Sequence, residues 1–532
     1  MEIIKKLKIT NRYKYIILAG ILILVSIPYL IKLTHANLWY DEAIEYFYSK
    51  AVLGQVPGGG STANMYERIC STYQPPLYNI LMHFWLMLFD SEFGFRLCGV
   101  IVTAVGGVGI FWGIEELSDD DLWALMSTLL YMFTSSVAYY ALECAEYNLM
   151  LCCMAWAVCF YIKTLKRSNV SSLIGFFIFA CLAVYSQYGA VFLIIGMFCS
   201  IVVDAIINKN GAMVRNIAIG TIVVFIFAAL PLIYFFLFPQ MNKQGSVRVS
   251  HVPVFVNNIA IDFIKGIITC LYWDFNFPDL SILTDRLIIA GVGGALIFTV
   301  FALVKKHRQL YPFILSISVA YTIYFAAVAC SFYGYNEWNG ELGCNNLGGK
   351  YAIFLVPIIV VILVESMRFT FNRLREEKSI IYKMSVPLFI VWIIIYCGIE
   401  IVKLGCVNWE KGDIREMTES WYESESFNSL TLVHEQRDAM FQFYLIHNNQ
   451  YSELYQDHII ATERWIRDAE YEDVEENLEI MGIYDYDDFY YITPMSGSYE
   501  AFTKVMEDKG YSIEIIFEGL SGLLHITRSY KE

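Results

Sequence analysis

Apolar runs of about twenty residues recur along most of this chain, and a run of that length is what a bilayer-crossing helix needs. They lie near 15–33, 93–115, 122–142, 146–164, 171–187, 189–207, 216–238, 285–304, 310–330, 350–368 and 384–403. With 57% of 532 residues hydrophobic, the chain carries more apolar surface than a soluble domain of this size uses. The expectation is an α-helical polytopic membrane body of about eleven transmembrane helices. Beyond the last run the composition changes. From Val407 to Glu532 there are 27 acidic and 9 basic residues, a balance of −18 where the whole chain has −15. An acidic soluble tail therefore follows a slightly basic membrane body, which gives domains at 1–405 and 406–532. So acidic a tail is a poor partner for nucleic acid.

Basic clusters orient the spans. Lys5, Lys6, Lys8, Arg12 and Lys14 precede the first run, which is long for a signal-peptide core and lacks a small-x-small cleavage pattern, so it reads as an uncleaved first helix. The N-terminus, Lys163-Lys166-Arg167, Lys209-Arg215, Lys305 to Arg308 and Arg368 to Lys378 are all assigned to the cytoplasm. The apolar stretch after Gln74-Pro75-Pro76-Leu77 is too short to cross. If it did cross, Lys163 to Arg167 would fall outside, so it is placed along the outer membrane face, started by the proline pair. The acidic turn Glu115 to Asp121 is then cytoplasmic, and the tail extracytoplasmic. The protein is expected in the plasma membrane, N-terminus inside.

The tail reads as a small α/β domain. Strands are expected at Ser429–His434, Phe489–Thr493, Ser512–Phe517 and Leu523–Arg528, the last two as a hairpin around Gly519 and Gly522. Helices are expected at Arg437–His447, Glu463–Met481 and Ser498–Lys509, the last opened by Ser498. The 13 cysteines lie mostly in apolar runs, none falls in the tail, and no Cys/His cluster has zinc spacing.

Charges near membrane depth are the candidate functional residues. Asp41 and Glu42, in Leu38-Trp39-Tyr40-Asp41-Glu42-Ala43, are either a solvated loop pair or a general base at the interface. Trp39 and Tyr40 are interface-belt aromatics or a platform for a sugar ring. Arg96, in Phe93-Gly94-Phe95-Arg96-Leu97, either snorkels to headgroups or is a fixed cation for a lipid-linked phosphate. Glu143 and Tyr147 lie in a tight outer turn, Tyr139 to Tyr147, and Lys350-Tyr351 stand at the outer end of a later span.

Leu38 to Ala43, then Gln74-Pro75-Pro76-Leu77-Tyr78, then Phe93 to Leu97 with its arginine, resemble in order the GT-C glycosyltransferases of the protein-mannosyltransferase-like group, glycosyltransferase family 39 and its bacterial relatives. Tyr139 to Tyr147, Tyr185-Ser186-Gln187-Tyr188 and Lys350-Tyr351 with Pro357 resemble later landmarks of that group. The resemblance covers roughly 10–405. It implies a sugar donor on a polyprenyl phosphate and transfer on the outer face to an acceptor hydroxyl of an envelope glycan, lipid or protein. It implies Asp41 as base, with Glu42 beside it, and Arg96, Lys350 and Tyr351 at the donor phosphate. Trp39, Tyr40, Gln74, Tyr78, Glu143 and Tyr147 would contact substrate. No metal or other cofactor is required, since cationic side chains can do the charge work, although a divalent ion near Asp41 remains an open alternative. Two positions depart from the group: many relatives have Arg where this chain has Glu146 or Ala145, and Lys350 stands where Arg is usual. These departures point to an altered donor or acceptor, or to an inactive homologue.

Two other classes compete. A lipid or glycolipid transporter or flippase places charges at the bilayer midplane and shows paired broken helices. Here the charges sit at outer ends and no paired repeat is visible. A non-catalytic surface receptor would bind ligand through the tail alone.

Overall fold

The computed structural model describes residues 11–33, 37–38, 40–50, 65–70, 74–243, 294, 296–329, 352–376, 391–392, 395–399, 401–402, 413–447, 459–461, 471–494 and 497–529. The chain divides into two compact units. The first comprises Met1–Leu33, Ile69–Met82 and Gly94–Val407, and the second Thr34–Arg68, His83–Phe93 and Asn408–Glu532.

The first unit is helical because lipid leaves a backbone no other way to satisfy its polar groups without a closed barrel. Among the described residues seven helices are long and apolar enough to cross: Tyr13–Lys32, Glu92–Ser118, Glu146–Arg167, Ala190–Ile207, Gly211–Met241, Arg308–Ala327 and Ile353–Glu376. Asp121–Met132 and Ser136–Leu142 form an eighth if taken together, bent by 62°. Val170–Ser186 is apolar but only 17 residues long. About half of each expected span near 285–304 and 384–403 falls outside the described residues. Leu77–Leu86 has 10 residues, about 15 Å of helix, too short to cross.

The helices differ in what surrounds them. Ile353–Glu376 is the central one, with 89% of its apolar window buried, while Gly211–Met241 has 6% and presents Ile222, Phe227 and Tyr234 outward. Such apolar exposure suits lipid and would be a liability in water. Pro231 interrupts Gly211–Met241, and widened π turns flank it at Phe225–Ala229 and Ile233–Leu237. Proline lacks the amide hydrogen that the α ladder needs, and the wider turns absorb the defect.

Charges gather at one end of this unit. Lys14 pairs with Glu115 and lies 3.5 Å from Asp121. Lys166 pairs with Asp119 at 2.9 Å, and Arg167 grips the Glu116 carboxylate. Trp123 meets Phe371 at 5.8 Å, bringing the far end of Ile353–Glu376 to the same level. Beside it the Glu365 carboxylate takes Arg368 at 2.7 Å and His307 at 2.8 Å. The acidic turn and the basic clusters assigned to the cytoplasm thus neutralise one another, which explains why acids sit among them.

In the second unit, the tail builds a five-stranded sheet in the order β2-β1-β3-β5-β4, with β1 Leu430–Val433, β2 Ile459–Ala461, β3 Asp488–Pro494, β4 Tyr511–Glu518 and β5 Ser521–Arg528. β1 runs parallel to β2 and β3, and β5 antiparallel to β3 and β4. Alternate residues Phe489 and Tyr491, with Leu524 and Ile526 opposite, face a core closed by Val474, Leu478, Phe502 and Val505. The helix expected to open at Ser498 begins one residue earlier, at Gly497. The short strand β2 and the helix Ile414–Glu423 had no counterpart in the sequence reading.

His434 closes β1. Its amide donates to the Ile492 carbonyl at 2.8 Å, and its own carbonyl accepts from Arg437 as the next helix starts. Burial, then the Arg437 charge, pushes its imidazole down to about 4 from 6.5. Between those values the unfolded chain binds the proton and the folded one does not, so stability falls as pH drops from 6.5 towards 4. Hydrogen exchange of β1 and β3 amides should accelerate across that window, and His434→Gln should flatten the dependence.

Candidate active site

The sequence candidates divide between the two units. Gln74, Tyr78, Arg96, Glu143 and Tyr147 belong to the first, and Tyr40, Asp41 and Glu42 to the second. Trp39, Lys350 and Tyr351 lie outside the described residues.

In the first unit, Arg96 lies on the second turn of Glu92–Ser118. It is only 3% exposed and so does not snorkel. Its Nη1 donates to the Leu33 carbonyl at 3.1 Å, just past the helix Asn11–Lys32. Helix C-termini leave such carbonyls without intrahelical partners, and a guanidinium donor satisfies this one. One turn on, Gly99 lets the helix approach the turn at 139–148. A methyl group built on Gly99 would lie 2.7 Å from both the Ala141 carbonyl oxygen and the Asn148 amide nitrogen.

That turn is buried and tight. Glu143 ends Ser135–Leu142, its amide bonded to the Tyr139 carbonyl, and the Ala145 amide bonds to the Glu143 carbonyl. Glu146 then opens Glu146–Arg167. Asn148 donates to the Tyr140 carbonyl at 3.3 Å, and the Tyr140 and Tyr147 rings lie 4.5 Å apart. Both Glu143 and Glu146 are under a tenth exposed. An acid in a helix's first turn is favoured by the helix dipole, which suits the carboxylate at 146. Arg96 and Glu146 stand at the opposite ends of their helices from Glu115, Glu116, Lys166 and Arg167, and Glu143 lies three residues before Glu146. Within this unit Arg96 and the 139–148 turn therefore lie away from those charges. Tyr78 is buried, and the Gln74 carbonyl accepts from Gln240 at 2.7 Å, a link that ties the proline corner to the end of Gly211–Met241.

In the second unit, Tyr40–Lys50 is a helix with acids in its first turn and Lys50 in its last, the arrangement that suits the helix dipole. Its buried positions are Glu42, Ala43, Glu45, Tyr46 and Ser49. The spacing 42, 45, 46, 49 is that of one helix face, and two of the four are carboxylates. Asp41, at the edge of that face, is exposed. The sequence pair therefore separates into an exposed acid and a buried one, and Glu45 joins the buried one. Glu45 was missed, although its i+3 spacing from Glu42 is the signal that could have found it. Among the described residues no group of three or more His, Cys, Asp or Glu is placed to hold a metal ion.

If the Gly99 approach sets the position of Arg96 against the 139–148 turn, Gly99→Ala should destabilise the protein by about 1–3 kcal/mol, as overpacking does. Thermal unfolding in detergent checks this, with Gly20→Ala, where nothing lies within 4 Å, as the neutral control.

Residues 73–235 match the family model described as dolichyl-phosphate-mannose-protein mannosyltransferase. None of the curated proteins matches the chain in sequence. Among solved structures, ArnT from Cupriavidus metallidurans in the apo state is 10% identical, aligns over 96% of this chain and 97% of its own, and gives a TM-score of 0.54. The same protein bound to undecaprenyl phosphate is 11% identical over 97% and 98%, also with a TM-score of 0.54. The matched segment contains Gln74, Tyr78, Arg96, Glu143 and Tyr147. The fold is therefore that of the two ArnT structures, and residues 73–235 are similar in sequence to the mannosyltransferase family model.

Proposed function

We propose that this protein is a membrane glycosyltransferase that moves a sugar from a polyprenyl-phosphate donor to an acceptor hydroxyl on the outer face of the membrane. One observation carries the reading. The fold follows, along almost its whole length, that of a protein solved with undecaprenyl phosphate bound. The family match over 73–235 gives it separate support.

In this reading the N-terminus is cytoplasmic and the second unit, with the tail, is extracytoplasmic. The acceptor oxygen attacks the anomeric carbon while the bond from that carbon to the phosphate oxygen breaks. The electron pair leaves with the polyprenyl phosphate, and configuration inverts. Asp41, exposed on its helix, takes the acceptor proton. Arg96, with Lys350 and Tyr351, offsets the charge that grows on the departing phosphate. Glu42 stays on the buried face and fixes the helix that presents Asp41. Tyr40, Trp39, Gln74, Tyr78, Glu143 and Tyr147 shape the substrate surface. The sugar is a hexose or pentose, and the acceptor an envelope glycan, lipid or protein.

A transfer assay with undecaprenyl-phosphate-linked sugars tests the roles separately. Asp41→Asn should lower kcat about 10²–10⁴-fold and leave undecaprenyl phosphate binding unchanged. Arg96→Gln, which keeps a donor for the Leu33 carbonyl, should weaken undecaprenyl phosphate binding about tenfold or more. Full transfer by a correctly inserted Asp41→Asn would reject the base assignment. Lipid flipping with no sugar transfer by the unaltered protein would favour the transporter instead.

A further inference from the structure

The second unit fastens the acid-bearing helix through side chains that the transfer chemistry does not use. One cluster centres on Asp90. Its carboxylate accepts from the Tyr46 hydroxyl at 2.9 Å and from Lys50, and His447 Nε2 lies 3.5 Å away. His447 is held in turn by donation from Nδ1 to the Phe443 carbonyl at 2.8 Å. The Tyr46 ring stands edge-on to Phe443 at 4.9 Å. Burial alone would raise the Asp90 carboxyl, but hydrogen bonds from His447, Lys50 and Tyr46 and the Lys50 charge bring it down to about 2. The cluster is therefore built around an ionised carboxylate.

A second cluster centres on Glu92. Arg415 donates to both its oxygens, at 2.9 and 2.8 Å. The Tyr444 hydroxyl donates to the same carboxylate at 3.3 Å and accepts from the Leu38 amide at 2.8 Å. Asn37 donates to Glu416 at 2.9 Å. The chain is thus fastened just before the acid-bearing helix, at Asn37 and Leu38. It is fastened again at that helix's middle and end, at Tyr46 and Lys50. The partners lie on two elements of the tail, Ile414–Glu423 and Glu435–His447, and on the segment 83–93.

An isolated helix of 11 residues is marginal in water, so Tyr40–Lys50 depends on tertiary contacts such as these to keep its place. A catalytic group displaced by about 1 Å can lose about a hundredfold in rate. From this geometry we propose that Arg415 and Tyr444 are positioning residues for Asp41: the tail's work is to hold the helix Tyr40–Lys50 in the orientation that transfer requires. The proposal rests on the transferase reading for its effect on rate, but the holding itself is measurable without it.

The test uses the full-length protein in detergent and three readouts. These are hydrogen–deuterium exchange of amides 40–50, binding of undecaprenyl phosphate, and sugar transfer. Tyr444→Phe and Arg415→Ala should each speed exchange in 40–50 about tenfold while exchange in β1–β5 stays as it was. Undecaprenyl phosphate binding should stay unchanged, and kcat should fall about tenfold or more with donor KM unmoved. The exchanged pair, Glu92→Arg with Arg415→Glu, should recover part of both the protection and the kcat. Unchanged exchange in 40–50 overturns the proposal. So does a gain spread evenly through the sheet, which would mean general unfolding. If the unaltered protein transfers no sugar, the transferase reading fails, and the exchange data still decide whether the tail holds the helix.

Discussion

Two carboxylates on the buried face of an eleven-residue helix set the terms for the second unit. Glu42 and Glu45 occupy positions that a helix of this kind usually gives to apolar side chains. Burial of a carboxylate is costly without partners, so the helix contributes little hydrophobic driving force of its own. Tyr46, through its ring contacts and its bond to Asp90, supplies much of what anchors it. The rest comes from charge pairs at its flanks. This explains why Thr34–Arg68 and His83–Phe93, from the segment between the first two spans, group with the tail several hundred residues later, while Ile69–Met82 stays with the helices.

The first unit solves the opposite problem. Its apolar surface is abundant, and polar groups are the scarce and costly element. The structure sends them to the two ends. At one end Lys14, Lys166 and Arg167 neutralise the acids between Glu115 and Asp121. At the other, Arg96 satisfies the Leu33 carbonyl and Glu143 sits in a tight turn. Between them the helices approach closely at small residues. Methyl groups built on Gly106 and Gly109 would press on Cys152 and Trp156, where packing between helices replaces the hydrophobic effect that lipid cannot provide.

Apolar run length made the membrane body legible, because bilayer thickness is a constraint that sequence expresses directly. The proline pair at 75–76 announced the short helix Leu77–Leu86, and strand alternation announced β3 and the β4–β5 hairpin. Less legible was anything fixed by a distant partner. Asp90 and Glu92 look like ordinary loop acids, and only the fold brings Arg415 and His447 to them. Arg96 posed a choice between headgroups and phosphate, and the structure adds a carbonyl 63 residues away that neither option contained. β2, three residues long, is too short for any periodic signal. The split of Asp41 and Glu42 onto different faces was within reach, since adjacent helical residues point about 100° apart, but it required knowing that the loop is helical there.

The departure that the resemblance puts at Glu146 or Ala145 loses much of its weight at the acidic position once the place of Glu146 in the fold is known. The position is the first turn of a long helix, where backbone amides lack intrahelical partners and the dipole favours negative charge. An arginine there would need an external anion to justify its burial, whereas a glutamate is stabilised by the helix itself. The substitution is therefore coherent with an intact turn, and it does not by itself signal a decayed site. It does shift the electrostatic task. With a carboxylate at 146, the buried cation at this end of the unit, among the described residues, is Arg96. Arg96 is buried and anchored to the Leu33 carbonyl through Nη1.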